Sequence, residues 1–149
     1  MTGNGAGAPV HASVVALDGR GVLIRGRSGS GKSSLVLALL DQPSGMAVLV
    51  ADDRVTLAVA AGRILASVPD VIAGKLEVRG QGIFDMPFVS PCSIALVVDL
   101  LPADECPRFP DENDRITTIL GVAVPRLMLP EGTHDGATRV RFALRQVAS

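Results

Sequence analysis

The residues with the clearest chemical potential lie in "GRSGSGKSS", where Gly26, Gly31, Lys32 and Ser33 complete the pattern G-x-x-x-x-G-K-[ST]. Such a run suits a polyphosphate. Glycines let the backbone wrap so that amide N–H groups point inward, the lysine reaches the β- and γ-phosphates, and the Ser33 hydroxyl can sit on Mg²⁺. The expected phosphate contacts are therefore Gly26, Arg27, Ser28, Gly29, Ser30, Gly31, Lys32 and Ser33. Phosphoryl transfer also needs acidic groups to hold metal and to manage the proton of the nucleophile. Asp52 and Asp53, at the end of an apolar run, supply them. Adjacent carboxylates on an extended strand point opposite ways, so one is expected near the metal and the other near the reacting hydroxyl. Repulsion between them is expected to raise one pKa. The bland readings are a flexible Gly/Ser loop and a solvated strand end.

The flanking pattern favours the cradle. "HASVVAL", the turn "DGRG" and "VLIR" predict a β-hairpin over Ala12 to Arg25 that feeds the glycine loop. Leu35, Val36, Leu39 and Leu40 recur at helical spacing, and Pro43 and Gly45 end that run. "MAVLVA" reads as a strand buried on both faces, expected beside the cradle strand, where it would bring its last carboxylates to the phosphates. "VTLAVAAGRILASV" predicts a hairpin turning at Ala61 and Gly62, and "SIALVVDLL" another buried strand. "GKLEVRGQGIFDMP" between them is charged and glycine-punctuated. Pro102 to Asp114 reads as an exposed, mobile loop, and "TRVRFALRQV" as a closing helix with Val140, Ala143, Leu144 and Val147 on one face. The fold class that follows is α/β, a single P-loop domain with a mixed sheet. Residues 1–10 are expected to be a flexible leader, and 11–149 the catalytic domain.

Composition narrows the partners. Fourteen Lys and Arg against 15 Asp and Glu, with a pI near 6.1, leave no basic footprint for nucleic acid or an anionic membrane. The absence of Trp and Tyr, with four Phe, removes the platforms that stack single-stranded bases. No apolar run approaches a membrane span, and the first residues lack a basic and apolar export signal. Cys92 and Cys106 are too few for a disulfide framework, so a reducing, cytoplasmic setting is expected. The mean hydropathy of +0.40 is high for a chain of 149 residues and suggests apolar surface covered by other subunits.

Together, "HASVVAL", "GVLIRGRSGSGKSSL", "LVADD" and "LEVRGQGI" resemble the catalytic domain of bacterial HPr kinase/phosphorylase, which phosphorylates and dephosphorylates a serine of the phosphocarrier HPr. The loop is common to many families; "LEVRGQGI" and its distance from "ADD" are far more specific. The resemblance covers His11 to Arg126. It implies a fold of the HPr kinase and PEP carboxykinase type, ATP and Mg²⁺ as cofactors, HPr as partner and a hexameric assembly. Carried over residue by residue, it makes His11 an active-site histidine near the phosphates and Asp53 the proton acceptor. Lys32 becomes the phosphate-binding lysine, and Ser33 and Glu77 the magnesium ligands. Arg115, in "ENDRITTIL", resembles the catalytic arginine of the family's mobile loop. The chain looks like a short form that begins close before the histidine. The family's basic segment after its last strand, associated with dephosphorylation, is not recognisable in "LMLPEGTHDGATRV", whereas the kinase residues are intact. The rival readings are a P-loop kinase of a small metabolite and a nucleotide-binding sensor without turnover.

Overall fold

Alternating branched residues build the centre of the molecule. Ser13–Leu17 (β1) and Arg20–Arg25 (β2) form the expected antiparallel hairpin, in register from Ser13↔Ile24 to Leu17↔Arg20. Asp18 and Gly19 turn it with φ of 52° and 78°, the left-handed pair that matches a two-residue loop to the twist of the strands. The computed structural model describes residues 9–41 and 46–147. Most of the expected leader, and the helix-ending Pro43 and Gly45, lie outside the described residues.

The chain continues through helix α1 (Lys32–Leu40) and strands β3 (Ala47–Ala51), β4 (Thr56–Ala60), β5 (Arg63–Ser67), β6 (Lys75–Val78) and β7 (Gly82–Asp85). It ends in β8 (Cys92–Leu101), β9 (Ile116–Ile119), β10 (Val122–Pro130) and helix α2 (Gly136–Gln146). The main sheet runs β3-β1-β2-β8-β10-β9, with β5 joining β4 to β8. It is mixed: β2, β8 and β10 are parallel, and the other pairs antiparallel.

Strand side chains alternate between faces, and here both faces are covered. Val14, Ala16, Leu23 and Val97 pack with Leu57, Ile64 and Ala66 of the β4–β5 hairpin. Their neighbours Val15, Val22, Leu96 and Val98 pack with Leu35, Val36 and Leu39 of α1 and with Val140 and Leu144 of α2. Two-sided burial explains why these strands read as unbroken apolar runs. The closing helix uses the expected face, with Ala143 and Val147 packed at its edge.

One expectation about strand order is corrected. β3 lies beside β1 rather than beside the cradle strand β2. Hairpin formation gives one edge of β2 to β1, and the parallel β8 takes the other, with Leu23 opposite Val97. The outer edge of β3 is also engaged, since Val89 N–H donates to Leu49 O at 3.0 Å.

The three parallel strands are locked near the cradle by one buried carboxylate. Asp99 of β8, with its side chain 8% exposed, accepts from Arg25 Nε at 2.7 Å and Nη2 at 2.9 Å, and from Arg126 Nε at 2.6 Å. Burial pushes the Asp99 carboxyl up, but the hydrogen bonds and charges of Arg25 and then Arg126 outweigh it and hold it below its ordinary value.

"GKLEVRGQGIFDMP" folds as the β6–β7 hairpin, paired from Lys75↔Asp85 to Val78↔Gly82. β9 and β10 form another, turned by Leu120 and Gly121 at φ of 49° and 81°. Pro102 to Asp114 is largely exposed, with a short 3-10 turn at Ala103–Glu105. Cys92 and Cys106 are free thiols.

Candidate active site

The glycine loop leaves the end of β2 and enters α1 at Lys32, so the first N–H groups and the partial positive charge of the helix face the loop. Gly29 and Gly31 have φ of 82° and 98°, a region where side-chain-bearing residues are strained. Gly26 is required for space: a Cβ there would lie 2.5 Å from Ser30 Oγ and 3.1 Å from Leu100 Cβ. The loop is also tied from behind. Arg27 forks onto Glu131, Nε to Oε2 and Nη2 to Oε1, both at 2.8 Å, and Gly132 N–H donates to Ser30 O at 3.2 Å. Ser30 is buried, and its hydroxyl has no partner among the described residues.

The acidic side is assembled by backbone pairing. Val10 and Val55 exchange N–H···O bonds of 2.8 and 3.1 Å, which sets His11 beside the residues that follow β3. Asp53 adopts φ of 70°, a left-handed conformation that Asp tolerates better than most residues and that recurs at functional sites. This bend separates the consecutive carboxylates. Asp53 Oδ1 lies 2.5 Å from His11 Nε2 and accepts from Lys32 Nζ at 3.1 Å. Asp52 turns the other way, accepting from Ser13 Oγ at 3.3 Å and from Glu77 N–H at 3.1 Å. Ser13 is buried and its Oγ in turn accepts from Asp53 N–H at 2.8 Å.

These contacts set the two acids apart electrostatically. The raised carboxyl is Asp52, and burial is the main cause, opposed by the Glu77 N–H and the Ser13 hydroxyl; the neighbouring Asp53 charge adds a smaller push. Burial alone would raise Asp53 as well, but the hydrogen bond and charge of Lys32, with His11, bring it below its ordinary value. Repulsion is thus the lesser reason for the split, and the group it helps to raise is not the expected proton acceptor.

A cleft of about 370 Å³ joins both sides. The loop and helix contribute Arg27, Ser28, Gly29, Gly31, Lys32 and Ser33, and opposite them stand His11, Asp52, Asp53 and Glu77. Gly26 and Ser30 lie behind the loop and do not line it. Arg115 is also outside the lining. It is exposed at the start of β9, its N–H donating to Glu112 O at 3.2 Å and its carbonyl accepting from Arg126 N–H at 2.7 Å. Sequence reasoning overlooked Arg79, which lines the cleft two residues after Glu77; alternation along β6 was the signal for it. Ser34, the next residue of α1, was overlooked too.

Ser33 and Glu77 offer a hydroxyl and one carboxylate, and no cluster of three or more His, Cys, Asp or Glu able to hold a metal occurs among the described residues. That donor set fits Mg²⁺, which keeps several waters and is held by one or two carboxylates together with substrate phosphates.

Comparison with known proteins follows the same lines. The chain matches the family described as HPr Serine kinase C-terminal domain over residues 6–138. It belongs to that family. Among relatives of the HPr serine kinase family, the HPr kinase/phosphorylase of Mycoplasma mycoides subsp. mycoides SC is 32% identical over 133 residues, covering 80% of this chain and 41% of the relative. That of Bordetella petrii is 36% identical over 131 residues, with 80% and 41% covered. This chain therefore spans about two fifths of the length of these relatives. The solved Hpr(Ser) kinase/phosphatase from Coxiella burnetii superposes with a TM-score of 0.80 at 30% identity, covering 94% of this chain and 95% of that one. The mixed α/β architecture is thus that of an HPr serine kinase domain. No helix among the described residues is long and apolar enough to cross a membrane.

Proposed function

We propose that this chain is an ATP-dependent protein serine kinase domain that phosphorylates HPr. The observation that carries the reading is the Asp53 carboxylate, held by Lys32 and His11 in the same cleft as the glycine loop. Backbone amides of residues 27–33 and the α1 terminus bind the β- and γ-phosphates, and Lys32 neutralises the charge that spreads over the transferring group. Mg²⁺, held by Ser33, Glu77 and phosphate oxygens, would supply further charge neutralisation when bound. Asp53 accepts the proton of the serine hydroxyl as its oxygen bonds to the γ-phosphorus and the bond from that phosphorus to the bridging oxygen of ADP breaks.

The depressed pKa of Asp53 has a place in this scheme. Lys32 bonds the carboxylate in the free cleft, and an arriving γ-phosphate competes for the same ammonium. Sharing Lys32 weakens what holds the carboxyl low, so Asp53 becomes a stronger base once nucleotide is bound. Positioning and electrostatics account for the catalysis. Arg115 would have to move to reach the transferring group, and a homo-oligomeric, cytoplasmic protein belongs to the same proposal. We restrict it to the kinase direction, because Glu131, in the segment after β10, pairs with Arg27 and presents no cation to the cleft.

The test is transfer of label from γ-labelled ATP to purified HPr. Label on an HPr serine with the wild-type chain, absent with Asp53→Ala, supports the kinase. Label on a small metabolite alone, or nucleotide binding without any transfer, would replace this reading with one of its rivals.

A further inference from the structure

A second cavity, also about 370 Å³, opens on the other flank of the α1 N-terminus. Gly31 and Ser34 line both it and the acidic cleft, so the two are joined across the first turn of the helix. Their chemistry differs. The first holds Arg27, Lys32 and Arg79 against Asp52, Asp53 and Glu77, whereas no Lys, Arg, Asp or Glu lines the second. Its floor is the buried Leu35, Leu100 and Leu129, and its walls are Ala38 on α1 and Ala137 on α2.

We infer that this cavity receives the nucleoside end of the nucleotide whose phosphates occupy the cradle, an inference that rests on the kinase reading. The cradle fixes polarity: terminal phosphates sit at Lys32 beside Asp53, so the remainder of the ligand leaves past Ser34. An apolar floor without charged groups suits a neutral, flat base better than a second anion, and the volume is within the range of small-molecule sites. Apolar burial also replaces the aromatic stacking that a chain without Trp or Tyr cannot offer. His134, Thr133 and the N–H groups of the first turn of α2 stand at the walls, and no side chain caps that helix. These are the polar groups available to ribose hydroxyls and base edges. The wall is rigidly tied to the phosphate loop through Gly132 N–H to Ser30 O and Arg27 to Glu131. The segment after β10 thus serves nucleotide binding in this chain.

The test compares ATP with inorganic tripolyphosphate, each titrated with Mg²⁺ into the wild type and into Ala38→Phe and Ala137→Phe, which fill the cavity from opposite walls. The wild type should bind ATP more tightly than tripolyphosphate. Each variant should lose about tenfold or more in ATP affinity and keep its affinity for tripolyphosphate, a retention that also shows an intact cradle. Equal affinities for the two ligands in the wild type, unchanged ATP binding in both variants, or equal loss of both ligands would overturn the assignment. Failure of the wild type to bind either ligand would instead sink the cradle on which it depends.

Discussion

Two carboxylates, each held by two basic side chains, stand near the glycine loop, and they behave as opposites. Asp99 is sealed among β2, β8 and β10 by Arg25 and Arg126; Asp53 stands in the open cleft with Lys32 and His11. Side-chain exposure separates them, 8% against 57%. Both are pulled below the ordinary carboxyl range by cations that overcome burial. The lesson is that depression of a pKa does not mark a reactive acid. Access does, together with a cation that a ligand can draw away. Arg25 and Arg126 belong to the sheet and have no competing anion, whereas Lys32 faces the phosphate cradle.

The contrast can be broken most forcefully at Asp99. Asp99→Ala strands two partly buried guanidinium groups and should cost about 3 to 5 kcal/mol, measured by urea unfolding. A cost below about 1 kcal/mol would mean that the cluster is not the lock described here. Acid unfolding sharpens the same point. Asp99 has a lowered folded pKa, so its contribution is fully present above the unfolded carboxyl value near about 3.9 and is lost as pH falls through the lower folded value. Asp99→Asn should therefore flatten the fall of stability below about pH 4. Asp53→Ala, made at an exposed pair, should change unfolding stability by no more than about 1 kcal/mol. Smallest of all, Arg27→Ala removes an exposed pair with Glu131 and should shift stability by a few tenths, at most about 1 kcal/mol, while weakening ATP binding.

Much of this arrangement was legible in the sequence because local chemistry dictates it. The hairpin before the loop, the loop itself and α1 follow from Asp18-Gly19, the spacing of Gly26, Gly31 and Lys32, and a helical run of leucines. The order of strands was not legible, since an apolar run buried on both faces carries no mark of its neighbour, and β3 was expected one place too near the cradle. The β6–β7 hairpin was missed because β7 is exposed throughout and shows no alternation. The β9–β10 turn was missed because Leu120 takes a left-handed conformation that sequence rules assign to Gly, Asn or Asp. At the site, Lys32 and Asp53 were readable as a phosphate lysine and an acid. What brings His11 to them is the Val10–Val55 pairing, a long-range contact with no local signature.

The central claim is that Asp53 acts on the proton of the nucleophile and leaves nucleotide binding to the cradle. Single-turnover transfer from ATP to HPr, measured with ATP affinity for wild type and Asp53→Asn, tests it directly. The account predicts a rate lowered by about 10² to 10⁴ with ATP bound at least as tightly, because a negative charge beside the phosphates is gone. Transfer at the wild-type rate, or a loss fully explained by weaker ATP binding, would contradict it.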